Sequence, residues 1–164
     1  EENAEKSLLL YRDSFGEALI PLLSTNLGRA VYSQEFPYNL ELNDESYGMI
    51  MIELVERNIP NLLTGAPLMQ ASEKQLPTDA VSVSCTANAQ KRSGFTQLYG
   101  SIAAYPAAER IYIEVACTDG AVRVYEAFPV NDSGDADPAW ESASGYLLTL
   151  PEGIEGKVSG AYIG

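Results

Sequence analysis

The sequence predicts an α+β chain with three parts: a helical segment over residues 1–64, a connection over 65–80, and an antiparallel β domain over 81–164. Three observations predict it. Apolar residues in the first half recur at three- and four-residue steps, the period of one helix face. In the second half they alternate with polar residues, the period of a half-buried strand. Between the halves, "GAPLMQASEKQLPTDA" carries two prolines and little periodicity. The β domain is expected as an antiparallel β-sandwich, or as a single antiparallel sheet covered by the helices.

The first helix is read from "EENAEKSLLLYRDSFGEALI", where Leu8, Tyr11, Phe15, Leu19 and Leu22 share a face. Glu1, Glu2 and Glu5 favour the positive end of its dipole. Pro21 kinks or ends it, because proline lacks the amide donor. "LLSTNLGRAVYSQ" continues as a second short helix, with Ser24 or Thr25 as its cap. In "NDESYGMIMIELVERN", Tyr47, Ile50, Met51, Leu54 and Val55 line one helical face, and Glu53 with Arg57 forms an i,i+4 pair. The run "GMIMIELV" also fits a buried strand; length and charge spacing favour the helix. Pro60 ends it.

The β half opens with "AVSVSCTAN", in which Val81, Val83, Cys85 and Ala87 share one face. "FTQLYGSIAAY" follows, with Leu98, Ile102 and Ala104 facing inward. "RIYIEVACTDGAVRVYEAF" reads as a hairpin turning at Asp119-Gly120, a two-residue type I′ signal. That turn sets Cys117 against Val122, Val115 against Val124, Ile113 against Glu126 and Ile111 against Phe128 on the core face. The other face pairs Glu114 with Tyr125 and makes Glu114 and Arg123 diagonal neighbours. "YLLTL" and "KVSGAYI" complete six strands, a number and spacing that suit an immunoglobulin-like sandwich.

Charge excludes several partners. Acids outnumber bases 23 to 10, a net charge of −13 spread over both halves. Such a surface repels phosphate backbones and offers no basic stripe, so nucleic acid is not expected as a ligand. No apolar run reaches the ~20 residues of a membrane span, so this segment is not expected to insert directly into a bilayer.

The chemistry is bounded by an absence: the chain has no histidine. Ser-His-Asp and Cys-His sites are thereby excluded, and zinc loses its commonest ligand set. No S-x-x-K, G-x-S-x-G or phosphate-loop motif occurs. Paired-carboxylate chemistry survives, as in glycoside hydrolysis, but any acidic chain supplies candidates. No catalytic residue is assigned, and the protein is not expected to be an enzyme.

Three candidate sites remain. "VNDSGDADPAWE" gathers Asp132, Asp135 and Asp137, oxygen ligands suited to calcium, although the spacing fails the EF-hand template. The same residues are turn formers, and a polar crossing between strands is the favoured reading, with no cofactor expected apart from that calcium option. Tyr112 and Tyr125 on the hairpin's outer face, Tyr99 and Tyr105 on the non-core phase of the preceding strand, and Trp140 in the acidic loop could hold a carbohydrate or a protein ligand. Cys85 and Cys117 could form a disulfide, which would place the chain in an oxidising compartment.

The expected function is a non-catalytic binding or structural module, extracytoplasmic or at a cell surface, either secreted or anchored with this region outside. A sensory ectodomain of a membrane-anchored protein is the first alternative. A helix leading into an antiparallel sheet resembles pilin architecture in outline, without any motif of that family. A carboxylate-dependent glycan hydrolase is the second alternative.

Overall fold

The computed structural model describes residues 6–25, 27–42, 46–103, 110–131 and 144–164. Ser7 to Tyr11 are buried in unbroken succession. A surface helix buries only a stripe, whereas a strand covered on both faces buries every residue. The segment is accordingly a strand, β1 (Ser7–Arg12), and the helix expected there does not form. A continuous apolar run satisfies three- and four-residue spacing as readily as any other, so periodicity alone could not separate the two states.

β2 (Arg29–Ser33) and β3 (Met49–Glu53) lie parallel to β1 on either side, giving the order β2-β1-β3. Residues 29–33 were also expected to be helical, and Met49–Glu53 takes the strand alternative. Apart from Lys6, helix among the described residues is confined to a 3₁₀ turn (Phe15–Leu19), α1 (Ile20–Ser24) and a 3₁₀ helix (Glu56–Leu63). Pro21 lies in the first turn of α1, where a missing amide donor breaks no bond, so it starts the helix instead of kinking one. Residues 1–64 are therefore not a helical segment over their described part, and the helix-into-sheet outline that resembled a pilin is gone.

The second sheet is antiparallel. It comprises β4 (Val81–Val83), β5 (Asn88–Arg92), β6 (Phe95–Ser101), β7 (Ile111–Cys117), β8 (Val122–Val130), β9 (Gly145–Thr149) and β10 (Gly156–Ile163), ordered β4-β10-β7-β8-β9-β6-β5. Its ends meet. Cys85 bridges to Ile102, the Thr86 amide donates to Ser101 O at 2.9 Å, and the Ala103 amide donates to Ser84 O at 2.9 Å. These contacts continue the register of the β5–β6 hairpin. Residues 81–92 thus pair with β10 at their start and with β6 thereafter, and the sheet curls closed. A sandwich or a single helix-covered sheet was expected; strand count and turn spacing are the same for a curled sheet, so they could not decide.

The connection 65–80 belongs to this wall. β8 and β9 pair only over Phe128–Val130 and Gly145–Leu147. Where they diverge, the Ala71 amide donates to Thr149 O at 2.8 Å and the Lys74 amide donates to Val124 O at 2.9 Å.

Inside, Ile111, Ile113, Val115, Tyr125, Tyr146 and Leu148 pack as one buried cluster with their neighbours. The β7–β8 hairpin forms, with the predicted core face of β7, but its register is shifted by one. Ile111 faces Ala127, Ile113 faces Tyr125 and Val115 faces Arg123. The cause is the turn. Gly120 alone takes the left-handed region, at φ 85°, and the Cys117 amide donates to Ala121 O. The loop is Thr118–Gly120, a three-residue turn with a glycine bulge, not a two-residue type I′ turn. Val122 is left exposed and Tyr125 goes inside. Glu114 accepts from the Ser159 hydroxyl at 2.7 Å, and Arg123 clasps Asp119 through two nitrogens, so the predicted Glu114–Arg123 contact is replaced.

Candidate functional site

Chain order reverses within the parallel sheet. β2 lies on one side of β1, and the chain then crosses β1 to lay down β3 on the other. In open parallel sheets, ligands bind outside the strand carboxyl ends at such a reversal.

Here that position is occupied by "RDSFG", which follows the last apolar residue of β1. Asp13 Oδ1 accepts from the Phe15 amide at 2.8 Å. Its Oδ2 accepts from the Val55 amide at 2.8 Å and from Asn58 Nδ2 at 3.1 Å. One carboxylate therefore ties the loop after β1 to the loop after β3. The Val55 amide, with the other donors, holds its pKa below the ordinary carboxylate value.

Arg12 and Glu53 are register partners at the strand ends. Both lie against Gly16, where any Cβ would meet Glu53 Oε2 and would come within 2.7 Å of Arg12 Cβ. Arg12 Nε and Glu53 Oε2 are enclosed without hydrogen-bond partners.

The loop after β2 adds aromatics. Phe36 meets Tyr38 edge-on at 5.5 Å, and Tyr38 meets Tyr11 at 5.3 Å. The Tyr11 hydroxyl donates to Asn39 O at 2.7 Å and anchors this loop to β1. Burial, and then the charges of Asp13 and Glu53, push the Tyr38 hydroxyl up. At the rim, the Arg57 guanidinium sits 5.2 Å from the centre of the Phe15 ring. Phe15 is 57% exposed and Phe36 44%. The arrangement is a hydrogen-bonded polar cluster with exposed rings beside it.

The residues singled out from sequence lie elsewhere. Tyr112 and Tyr125 are 6% and 1% exposed, so they form no outer tyrosine surface. Tyr125 is lost to the one-residue register shift; Tyr112 keeps the outer phase but is covered. Tyr99 is exposed on β6. Tyr105, Trp140 and the calcium candidates Asp132, Asp135 and Asp137 lie outside the described residues. Among the described residues, no group of three His, Cys, Asp or Glu side chains could hold a metal. Cys85 and Cys117 are free thiols in the structure, so the disulfide that the sequence allowed is not formed there and lends no support to an oxidising compartment. Cys117 lies on β7, whereas Cys85, beyond the end of β4, bridges to Ile102 on the β6 side of the sheet.

Neither family models, curated proteins nor solved structures give any match to this chain.

Asp13, Tyr38 and Glu53 were missed because their segments were read as helix or as helix flank. The available signal was a polar triplet, Arg12-Asp13-Ser14, placed directly after a run of apolar residues and followed by Phe15-Gly16. In a parallel sheet that pattern marks a strand's carboxyl end.

Among the described residues, no helix is long and apolar enough to cross a membrane.

Proposed function

We propose that the chain is a non-catalytic binding module whose ligand, a neutral carbohydrate, lies across the carboxyl ends of β1 and β3. One observation carries this reading: Asp13 fastens together the two loops that meet where strand order reverses, giving a preorganised cluster at a ligand-binding position. The exposed faces of Phe15 and Phe36 supply stacking platforms, and Arg57 and Asn58 supply donors for hydroxyl groups. The net charge of −13 disfavours anionic glycans.

The same geometry favours binding over hydrolysis. A glycosidase needs one carboxylic acid that keeps its proton and a second that stays charged. Asp13 is held as the charged form with three donors on it, and Glu53 Oε2 is enclosed against Gly16. Neither is placed to protonate a leaving group.

The test is a titration of the isotope-labelled protein with maltohexaose, cellohexaose and chitohexaose, followed by amide NMR. Binding at the proposed site shifts the Phe15 and Val55 amides and the Asn58 side chain, and Phe15→Ala and Phe36→Ala each weaken it by about tenfold. Perturbation confined to the curled sheet, or none with any of the three sugars, defeats the reading.

A further inference from the structure

The free edge of β3 lies apart from that site. Among the described residues, β3 pairs with β1 alone and is the last strand of its sheet. Its first four residues, Met-Ile-Met-Ile, are an apolar run of the kind that parallel sheets bury on both faces. Instead Met49 is 56% exposed, and Ile50 and Ile52 are each 36% exposed. Because neighbouring side chains alternate, the exposure falls on both faces of the strand. On the face toward α1, a groove of about 270 Å³ runs between Leu22, Leu23 and Leu27 and the side chains of Met49 and Met51. Leu22, on its wall, is 70% exposed.

Sheet edges that face water are ordinarily blunted by proline, lysine, a bulge or shortness. β3 carries none of the first two, and its pairing with β1 runs without a bulge over Leu8–Arg12. The edge is built to be paired. We infer that β3 takes up an apolar β-strand from a partner polypeptide, by strand addition, with basic residues flanking the added strand.

Charge selects this occupant. Just beyond the carboxyl end of β3 the exposed Glu56 is presented, and the chain as a whole carries −13. A second copy would bring the same acid and the same net charge to the contact, whereas a strand flanked by Lys or Arg meets them with the opposite sign. Backbone pairing along the edge supplies the affinity, and alternate side chains enter the α1 groove and cover Ile50 and Ile52.

The probe is a synthetic peptide, Lys-Val-Ile-Val-Ile-Val-Lys, added to the intact chain while amide hydrogen exchange is followed at β3. Amide exchange over Met49–Glu53 slows by at least about tenfold. The same peptide N-methylated at alternate residues gives no protection, and Ile50→Lys with Ile52→Lys removes the effect while circular dichroism stays native. Three results overturn the inference: unchanged exchange at saturating peptide, equal protection by the N-methylated peptide, or a chain that alone sediments as a dimer with β3 already protected. The N-methylated control leaves the protein unaltered, so it decides even where the double variant fails to fold. It also reads only the β3 edge, so it is independent of whether a sugar binds at Phe15.

Discussion

Asp13 Oδ2 and the Val55 amide are 2.8 Å apart and 42 residues apart in sequence. This bond joins the outgoing loops of two parallel strands. The Asn58 side chain reinforces it, and the Phe15 amide holds the other oxygen. The charged carboxylate accepts from all three donors at once.

The first prediction concerns pH. The folded-state pKa of Asp13 lies below its ordinary value of 3.8, chiefly because of the Val55 amide. A depressed folded pKa contributes stability that is complete above the unfolded value and is lost as pH falls through the folded one. Acid should therefore loosen these two loops only below about pH 4. Asp13→Asn should melt at a lower temperature at neutral pH and lose less on acidification than the parent. Paired melting curves at pH 7 and pH 3 check this; an identical acid response in both proteins refutes the role given to Asp13.

Tyr125 and Tyr99 test the hairpin register. Tyr125 is 1% exposed within the curled sheet, while Tyr99 is 36% exposed on β6. Tyr125→Ala should destabilise by about 3–5 kcal/mol, the range for deleting a buried aromatic ring. Tyr99→Ala should change stability by about 0.5 kcal/mol. Urea denaturation of both variants measures the difference. Similar small losses would mean that Tyr125 faces outward, as the two-residue turn required.

How much of this could be read in advance depends on which signals were local. The β7 core face, Ile111, Ile113 and Val115, follows from alternation alone and is correct. Its partners depended on the turn, and "TDGA" is compatible with a two- or a three-residue loop; only the backbone at Asp119 and Gly120 decides. β1 and β3 were hidden for a different reason. Parallel strands buried on both faces have no alternation, and their apolar runs look like helix segments. Once they are misread, Arg12, Asp13 and Glu53 scatter along supposed helices and the site vanishes. Closure of the sheet rests on Cys85 meeting Ile102, a long-range pairing to which no local pattern points.

Closure can be tested at Gly100. A Cβ at this position would collide with the backbone carbonyl of Thr86, and Thr86 O also accepts from the Tyr146 hydroxyl at 2.9 Å. Backbone cannot yield as a flexible side chain does, so Gly100→Ala should destabilise by about 1–3 kcal/mol or more, as overpacking does. The loss should concentrate at the seam. Hydrogen exchange should rise first at the Thr86 and Ala103 amides, which bond across it at 2.9 Å each. Wild-type stability in this variant would show that residues 84–86 do not pass so close to β6.

The two thiols give the last test. Cys117 is 7% exposed and Cys85 is half-buried, its thiol pushed up by burial. The thiolate is the reactive species, so both should resist a thiol reagent in the native state at pH 8. Unfolding in guanidinium should release two reactive thiols without prior reduction, and dithiothreitol should leave the melting temperature unchanged. If instead no thiol reacts in denaturant until reductant is added, Cys85 and Cys117 are bridged. The placement of Cys85 against Ile102 at the seam of the curled sheet would then have to be redrawn.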